Sequence, residues 1–248
     1  MATAVREPFQ ADLRALRRRL DGLDWRGLEG DLDALGYATT GPLLTPEECA
    51  AVAGMYGEPA RFRSRIDMRR HAFGEGEYQY FAYPLPEIVA ELRQATYPRL
   101  APIANRWSEA LGAGQPYPPD LDGYLDLCHQ SGQRRPTPLL LKYGPGDYNR
   151  LHQDLYGQLH FPLQMAILLS APGRDFAGGE FVLTEQRPRT QSRVEVVPLA
   201  QGEAVIFAVN FRPARGSRGY YRLAMRHGVS RVRSGARYTL GIIFHDAA

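Results

Sequence analysis

Residues 139–154 read Leu-Leu-Leu-Lys-Tyr-Gly-Pro-Gly-Asp-Tyr-Asn-Arg-Leu-His-Gln-Asp. A short apolar run is followed by a Gly-Pro-Gly-Asp turn and by a second short run that ends in His152 and Asp154. From Pro138 onward the chain keeps this pattern of short runs broken by Gly, Pro and Asp, which predicts strands. Eight strands indicate a mainly β fold with flanking helices, built on a barrel or jelly roll. We predict them at 139–143, 149–154, 163–170, 179–184, 193–198, 203–209, 222–231 and 236–244.

His152 and Asp154 are candidate metal ligands. In an extended strand, residues i and i+2 point to the same face, so the two side chains can hold one ion from one side. A third ligand must come from a distant strand, and His227 can supply it, 73 residues after Asp154. Two imidazoles and one carboxylate form the facial ligand set of non-haem Fe(II). Arg237, ten residues after His227, adds a forked donor suited to a carboxylate. The pattern predicts a site for iron and a dicarboxylic acid.

The stretch from about Leu139 to Phe244 resembles the Fe(II)/2-oxoglutarate-dependent oxygenase superfamily. Besides residues 139–148, the resemblance rests on Gly178-Gly179-Glu180-Phe181, which is similar to the family's GGE(F/L) strand. It also rests on residues 226–237, which are similar to its closing element RHxVxxVxxGxR, with the histidine-to-arginine spacing of the prolyl-hydroxylase-like branch.

The resemblance implies a double-stranded β-helix (jelly-roll) core, with Fe(II), 2-oxoglutarate and dioxygen as cofactor and co-substrates. It implies that His152, Asp154 and His227 bind the metal. Arg237 would bind 2-oxoglutarate, with Tyr143 or Tyr148 donating a second hydrogen bond. The expected reaction couples 2-oxoglutarate decarboxylation to hydroxylation of a substrate C–H bond. A catalytically inactive 2-oxoglutarate-binding sensor is the alternative from another functional class.

The substrate is less constrained than the cofactor chemistry. The whole chain resembles a bacterial oxygenase family linked to oxidative demethylation of damaged DNA, which implies an alkylated nucleobase. Segment 59–86 interleaves arginines with aromatic rings, a pattern that can bind phosphates and stack bases. As an alternative, it forms a β-hairpin or lid whose aromatic side chains cover the barrel mouth. The RxNxTxR run of AlkB-type demethylases is missing, which favours a protein side chain of the prolyl type or a small molecule. The candidate substrate residues are Arg61, Arg63, Arg69, Arg70, Tyr78 and Tyr80.

The first 137 residues are predicted to form a helical support region, joined with the jelly-roll core 138–248 in one structural domain. Leucines at helical spacing over 8–35, interrupted near Gly22, predict one or two amphipathic helices. Thr45-Pro46-Glu47-Glu48 is typical of a helix start. Because Pro98 can begin a helix, we predict separate helices at 87–97 and 98–111, and a short one near 120–130.

Composition indicates an ordinary soluble enzyme. The chain has 248 residues, 44% of them hydrophobic, and a net charge of +3. The N-terminus, Met1 to Glu7, lacks the apolar core of a signal peptide, and the two cysteines, Cys49 and Cys128, form no disulfide framework. We therefore predict a cytoplasmic location.

From Phe181 onward the sequence contains eleven arginines and four acidic residues. This excess of positive charge could steer a polyanion toward the site, although arginine also replaces lysine almost everywhere in the chain. The other histidines, His71, His129, His160 and His245, are predicted to be surface or packing residues.

Overall fold

The computed structural model describes residues 11–114, 116–155, 157–217 and 219–248. Its centre consists of antiparallel β-sheets, as the mainly β jelly-roll prediction requires. Strands are numbered in chain order. The larger sheet contains, in spatial order, β1 (Tyr37–Pro42), β11 (Glu203–Ala208), β7 (Leu163–Leu168), β15 (Arg237–Ile242), β5 (Leu139–Tyr143), β4 (Glu77–Phe81) and β2 (Phe62–Asp67).

The smaller sheet provides the opposite wall of the jelly roll. It contains, in spatial order, β10 (Arg193–Val197), β9 (Phe181–Gln186), β13 (Gly219–Val229), β6 (Tyr148–His152) and β3 (Gly74–Glu75), and β12 (Phe211–Gly216) also pairs with β13. A separate pair is formed by β8 (Phe176–Gly178) and β14 (Val232–Gly235). Each of the eight predicted strands is present, with ends that differ by up to three residues.

The helices are α1 (Leu13–Asp21), α2 (Trp25–Leu35), α3 (Pro46–Gly54), α4 (Glu87–Ala110) and α5 (Leu121–Gln130). The leucine-rich segment forms two helices separated at Gly22, and its first residues, 8–10, lie outside the described part of the chain, as do Met1 to Glu7. The predicted start of α3 is confirmed as a capping box. The Thr45 hydroxyl accepts from the Glu48 backbone N–H, and the Glu48 carboxylate accepts from the Thr45 backbone N–H.

The predicted boundary at Pro98 is wrong. Helix α4 runs without interruption from Glu87 to Ala110 and contains both Pro98 and Pro102. Each proline removes one backbone hydrogen bond, which favours a break. Here the buried face of α4, which includes Leu92, Tyr97, Leu100 and Trp107, packs into the core and offsets that local cost.

The N-terminal region is not purely helical, which corrects the prediction for residues 1–137. It contributes β1, β2 and β4 to the larger sheet and β3 to the smaller one. Segment 59–86, for which a β-hairpin or lid was one of the two predictions, forms the antiparallel pair β2–β4 and extends the larger sheet beyond β5, because β4 pairs with β5. The additional strands β8, β12 and β14 were not predicted.

The main hydrophobic core lies between the helices and one face of the larger sheet. Leu16, Leu32 and Leu92 from the helices cluster with Ile167 and Leu240 from the strands. The other face of that sheet points toward the smaller sheet and remains available for a site. Among the helices of the described residues, none combines the length and the apolar character that a membrane span requires.

Candidate active site

His152, Asp154 and His227 converge between the two sheets. One ligand atom from each residue lies within 4.8 Å of the others. The Asp154 Oδ1 is 3.4 Å from His152 Nε2, and its Oδ2 is 3.3 Å from His227 Nε2. Two imidazole nitrogens and one carboxylate oxygen at this spacing fit Fe(II) bound by a facial triad, and the set contains no thiolate. The three predicted ligands therefore meet at one point.

The pairing of β13 with β6 explains why residues so distant in sequence meet. His227 lies directly opposite His152 in the antiparallel register, and the centroids of their rings are 4.2 Å apart. The next paired residues are Val229 and Asn149, so β6 carries one extra residue, a β-bulge. Gly228 faces this bulge, and a Cβ on it would lie 2.7 Å from the Asn149 carbonyl oxygen. Glycine at this position therefore lets the bulge form beside the ligands.

The backbone around His152 and Asp154 is held by two polar contacts. The His152 Nδ1 lies 2.7 Å from the Arg150 carbonyl oxygen, which makes Nδ1 the protonated donor and leaves Nε2 free to bind a metal. Strand β6 ends at His152, and the next residue, Gln153, donates from its Nε2 to the carbonyl oxygens of Asn210 and Met225. Gln153 thus ties the segment between the two ligands to β13 and the start of the β12–β13 hairpin.

The electrostatics of the three ligands favour an ionised carboxylate. Burial raises the pKa of Asp154, but its interactions with His152 and His227 outweigh that effect and hold its pKa well below the usual range. Burial lowers the pKa of His227, and the neighbouring His152 lowers it further. Burial lowers the pKa of His152, but its hydrogen bond and attraction to Asp154 outweigh that effect and raise it. Asp154 and His227 thus have the protonation states that a divalent metal requires, and a metal bound to His152 would displace a proton.

A cavity of about 190 Å³ between the sheets, here the site cavity, contains the three ligands. Alternate residues of the larger sheet form one wall, because side chains alternate across a strand. Its aromatic and polar lining includes Phe73, Tyr78, Tyr80, Tyr143, Asn149, Gln164, Phe181, Phe207, Arg237 and Thr239.

Arg237 lies in this wall as a buried cation that forms no ion pair with the described residues. Its side chain is 2% exposed, its Nη1 donates to the Thr239 hydroxyl at 2.5 Å, and its Nε has no hydrogen-bond partner within the described part of the chain. Burial lowers the pKa of Arg237 to about 10, which still leaves it protonated at neutral pH. The Gly178-Gly179 motif makes room for it, since a Cβ on Gly179 would lie 2.9 Å from the Arg237 Cδ. A buried, unpaired guanidinium fits a carboxylate ligand.

The two candidate tyrosines have different positions. Tyr143 pairs with Arg237 in the β5–β15 register, lies under its guanidinium at 5.7 Å, and lines the site cavity. Burial raises the pKa of Tyr143, so its hydroxyl remains a donor. Tyr148 lies outside the cavity lining, with the Arg231 guanidinium 5.1 Å from its ring. The bulge in β6 turns Asn149 instead of Tyr148 toward the cavity, so Tyr143 has the better position of the two candidates for a hydrogen bond to a ligand beside Arg237.

The candidate substrate residues divide into two groups. Tyr78 and Tyr80 line the site cavity, and the exposed Arg69 and Arg70 lie on a short turn that leads to Phe73 at its mouth. Arg61 instead pairs with Glu58 at 2.7 Å, outside the cavity lining. The Arg63 Nε donates to the Pro136 carbonyl oxygen, and the guanidinium packs over the Tyr80 ring. Gln153, Gln164 and Phe207 were not predicted, because their roles depend on the strand register.

Comparison with known proteins places the chain in a family. A family model described as "Oxygenase, catalysing oxidative methylation of damaged DNA" matches residues 76–247. The chain belongs to this oxygenase family. Two uncharacterized proteins of Mycobacterium tuberculosis, from strains CDC 1551 and H37Rv, are each 53% identical over 168 residues, which cover 68% of this chain and 72% of the relative.

Solved structures share the fold. A prolyl-4-hydroxylase of Pseudomonas putida has a TM-score of 0.54 at 13% identity, covering 90% of this chain and 100% of that one. A 2OG-Fe(II) oxygenase family oxidoreductase of Burkholderia pseudomallei has a TM-score of 0.51 at 17% identity, covering 90% and 93%. At these identities the likeness concerns the fold. Together with the metal-ligand geometry and the family, it identifies the site as that of a non-haem iron oxygenase.

Proposed function

We propose that this oxygenase uses 2-oxoglutarate to oxidise an alkylated base of nucleic acid, and so acts in DNA repair. The observation that carries the co-substrate assignment is the buried Arg237, which forms no ion pair among the described residues, in the wall of the cavity that contains the three metal ligands. Arg237 would bind the distal carboxylate of 2-oxoglutarate, and the adjacent Tyr143 hydroxyl, which has no hydrogen-bond partner within the described part of the chain, would donate a second hydrogen bond. His152, Asp154 and His227 would hold the iron.

When bound, iron, 2-oxoglutarate and dioxygen supply the oxidation of a substrate C–H bond to C–OH, with release of succinate and carbon dioxide. On an N-methyl group the product is a hemiaminal, which loses formaldehyde and leaves the unmethylated N–H. The chain contributes binding, orientation and exclusion of water. Phe181 and Phe207 flank the His227 ring, with centroids at 6.2 and 4.6 Å, and give the metal centre an apolar wall.

Nucleic acid as substrate is supported by the family's description and by the cavity mouth. Phe73 is 42% exposed and lines the cavity, and its carbonyl oxygen accepts from the Arg150 backbone N–H. Arg69, Arg70 and Arg150, here the rim arginines, are all exposed. Within the described residues their only ion pair joins Arg70 to Asp67 at 4.0 Å. Free guanidinium groups around an exposed aromatic ring match a phosphate backbone and an unstacked base.

The test measures succinate and formaldehyde release by the Fe(II)-loaded protein with methylated oligonucleotides, proline-containing peptides and free amino acids. Methylated oligonucleotides should stimulate both products. Replacing the three rim arginines by alanine should weaken oligonucleotide binding and reduce its salt dependence, because fewer counterions are released. The matched control is Arg14→Ala/Arg18→Ala/Arg26→Ala, which removes three exposed arginines from α1 and α2.

Stimulation only by a peptide or an amino acid, with no oligonucleotide binding at low salt, would overturn the nucleic-acid assignment and leave the iron chemistry standing. The metal assignment has its own test. His152→Ala or Asp154→Ala should abolish stoichiometric Fe(II) binding and the slow 2-oxoglutarate turnover without substrate. Retained turnover in either variant would refute the ligand set.

A further inference from the structure

Gln164 is a buried amide with an unused hydrogen-bond donor. It lies on β7, is 4% exposed, and lines the site cavity. Its Nε2 has no hydrogen-bond partner among the residues that the structure describes. A buried donor without a partner is destabilising and uncommon in native proteins, so it requires an explanation. A ligand with an acceptor group would provide one.

The strand register locates Gln164 beside the metal ligands. On β7, Gln164 and Ala166 point into the cavity, whereas Ile167 belongs to the core on the other face of the sheet. Gln164 pairs directly with Phe207 of β11, whose ring is 4.6 Å from that of His227. Side chains directly opposite each other on antiparallel strands are neighbours. Gln164 is therefore close to the metal centre.

The same register separates Gln164 from the predicted 2-oxoglutarate anchor. Ile242 of β15 pairs with Met165, so the residue level with Gln164 is Ile243, which also lines the cavity. Ile243 lies six residues from Arg237, which corresponds to roughly 20 Å along a strand. A five-carbon acid held by Arg237 thus lies toward the opposite end of the sheet. Gln164 faces the part of the cavity that is left for the substrate.

We propose that Gln164 determines substrate specificity by hydrogen bonding to the edge of a nucleobase. A carboxamide presents a donor and an acceptor in one plane, which matches a base edge that carries an acceptor next to a donor. The rings of Tyr78 and Phe207 in the same cavity offer flat apolar surfaces to the heterocycle. This inference rests on the proposed function and adds the residue that distinguishes one base from another.

The test compares Gln164→Leu and Gln164→Glu with the wild-type protein. Formaldehyde release is measured with oligonucleotides that carry one methylated adenine, cytosine or guanine. Leucine removes both hydrogen-bonding groups, and glutamate removes the donor. The ratio of kcat/KM between the best and the second-best base should fall about tenfold in both variants. Ile167→Val, on the opposite face of β7, is the matched control and should keep the wild-type ratio.

A second readout is independent of activity. Because leucine replaces a buried amide without a partner, the ligand-free Gln164→Leu protein should melt at a higher temperature than the wild type. An unchanged ratio between bases, or a lower melting temperature, would overturn the inference. If the proposed function itself is wrong, the result is different. No oligonucleotide then stimulates the wild-type protein, whatever the melting temperatures of the variants.

Discussion

Arg237 is a buried cation that forms no ion pair with the residues described by the structure. Its burial without an ion pair destabilises the ligand-free protein, and a carboxylate ligand removes that cost. We expect Arg237→Leu to weaken 2-oxoglutarate binding by roughly a hundredfold or more, the consequence of leaving a buried carboxylate unpaired. Anaerobic titration calorimetry of the Fe(II)-loaded protein measures this change. Arg233→Ala, which removes an exposed arginine from β14, should retain wild-type affinity. Equal affinity in Arg237→Leu and the wild type would contradict the assignment.

Gly228 permits the bulge that brings His152 and Asn149 to the same side of β6. The Cβ of Gly228→Ala would lie 2.7 Å from the Asn149 carbonyl oxygen, so the two strands would have to separate. We expect a loss of about 1–3 kcal/mol in unfolding free energy, measured in urea, together with weaker Fe(II) binding. In Gly30→Ala, where the Cβ meets nothing within 4 Å on helix α2, we expect a gain of up to about 1 kcal/mol. Wild-type metal affinity in Gly228→Ala would contradict this role of the bulge.

For single residues, the sequence predicts those whose chemistry is rare and misses those whose role depends on the strand register. The three ligands and Arg237 were predictable because their residue types and spacings imply one kind of site. The sequence could not decide between Tyr143 and Tyr148, because a single extra residue in β6 reverses the side-chain alternation and a bulge leaves no clear signal in one sequence. Gln164 was missed because an unsatisfied amide is visible only once its neighbours are known.

In helix α4, packing of the buried face overrides the low helix propensity of two prolines. Pro98 and Pro102 are both exposed, so neither contributes to the core that the helix buries. Pro98→Ala should restore a backbone hydrogen bond within a helix that is already formed. We expect the unfolding free energy to rise by about 1–2 kcal/mol, less than the full propensity difference, because proline also restricts the unfolded chain. Urea denaturation measures this change, and Gln94→Ala should shift stability by less than about 0.5 kcal/mol. A destabilised Pro98→Ala protein would show that the proline has a packing role.

The strands of the N-terminal region depend on a pairing partner that is distant in sequence. Strands β2 and β4 come from a segment in which arginines interrupt any simple alternation, so the sequence left open whether it binds nucleic acid or forms a β-hairpin or lid. They form because the edge of β5 offers unpaired backbone groups, which β4 satisfies. Tyr78 and Tyr80 thereby reach the cavity wall. The segment for which a β-hairpin or lid was one prediction thus forms the antiparallel pair β2–β4, an extension of the larger sheet.

Across the whole molecule, a buried polar network joins the C-terminus to the helices. The Arg93 guanidinium of α4 is 1% exposed and donates to the carbonyl oxygens of Ile243 and Phe244. It also pairs with Asp246 at 2.9 Å, and His129 of α5 approaches the other Asp246 oxygen at 2.9 Å. Because every member of a buried network needs its partners, this connection holds the last strand against the helical layer.

His245, inside this region, makes the stability of the fold depend on pH. Its side chain is fully buried, and its Nδ1 accepts from the Phe161 backbone N–H at 3.2 Å. Burial, with the nearby His160 and Arg93, lowers its pKa to about 4 from the ordinary value of 6.5, against the smaller opposing effects of Asp154 and Asp246. Above pH 6.5 the folded and unfolded chains both hold this residue neutral, and the stability is fully present. As the pH falls from 6.5 to 4, only the unfolded chain takes up the proton, so stability is lost.

We therefore expect the wild-type unfolding free energy to decrease between pH 7 and pH 4.5 by an amount to which His245 contributes on the order of 1–3 kcal/mol. In His245→Asn, the side chain can still accept from the Phe161 N–H but does not titrate, so the decrease should be smaller by that contribution. Urea denaturation of both proteins at matched pH values isolates the difference, whatever the stability of the variant at pH 7. Parallel pH profiles for the two proteins would contradict this prediction. They would mean that the pKa of His245 is the same in the folded and the unfolded protein.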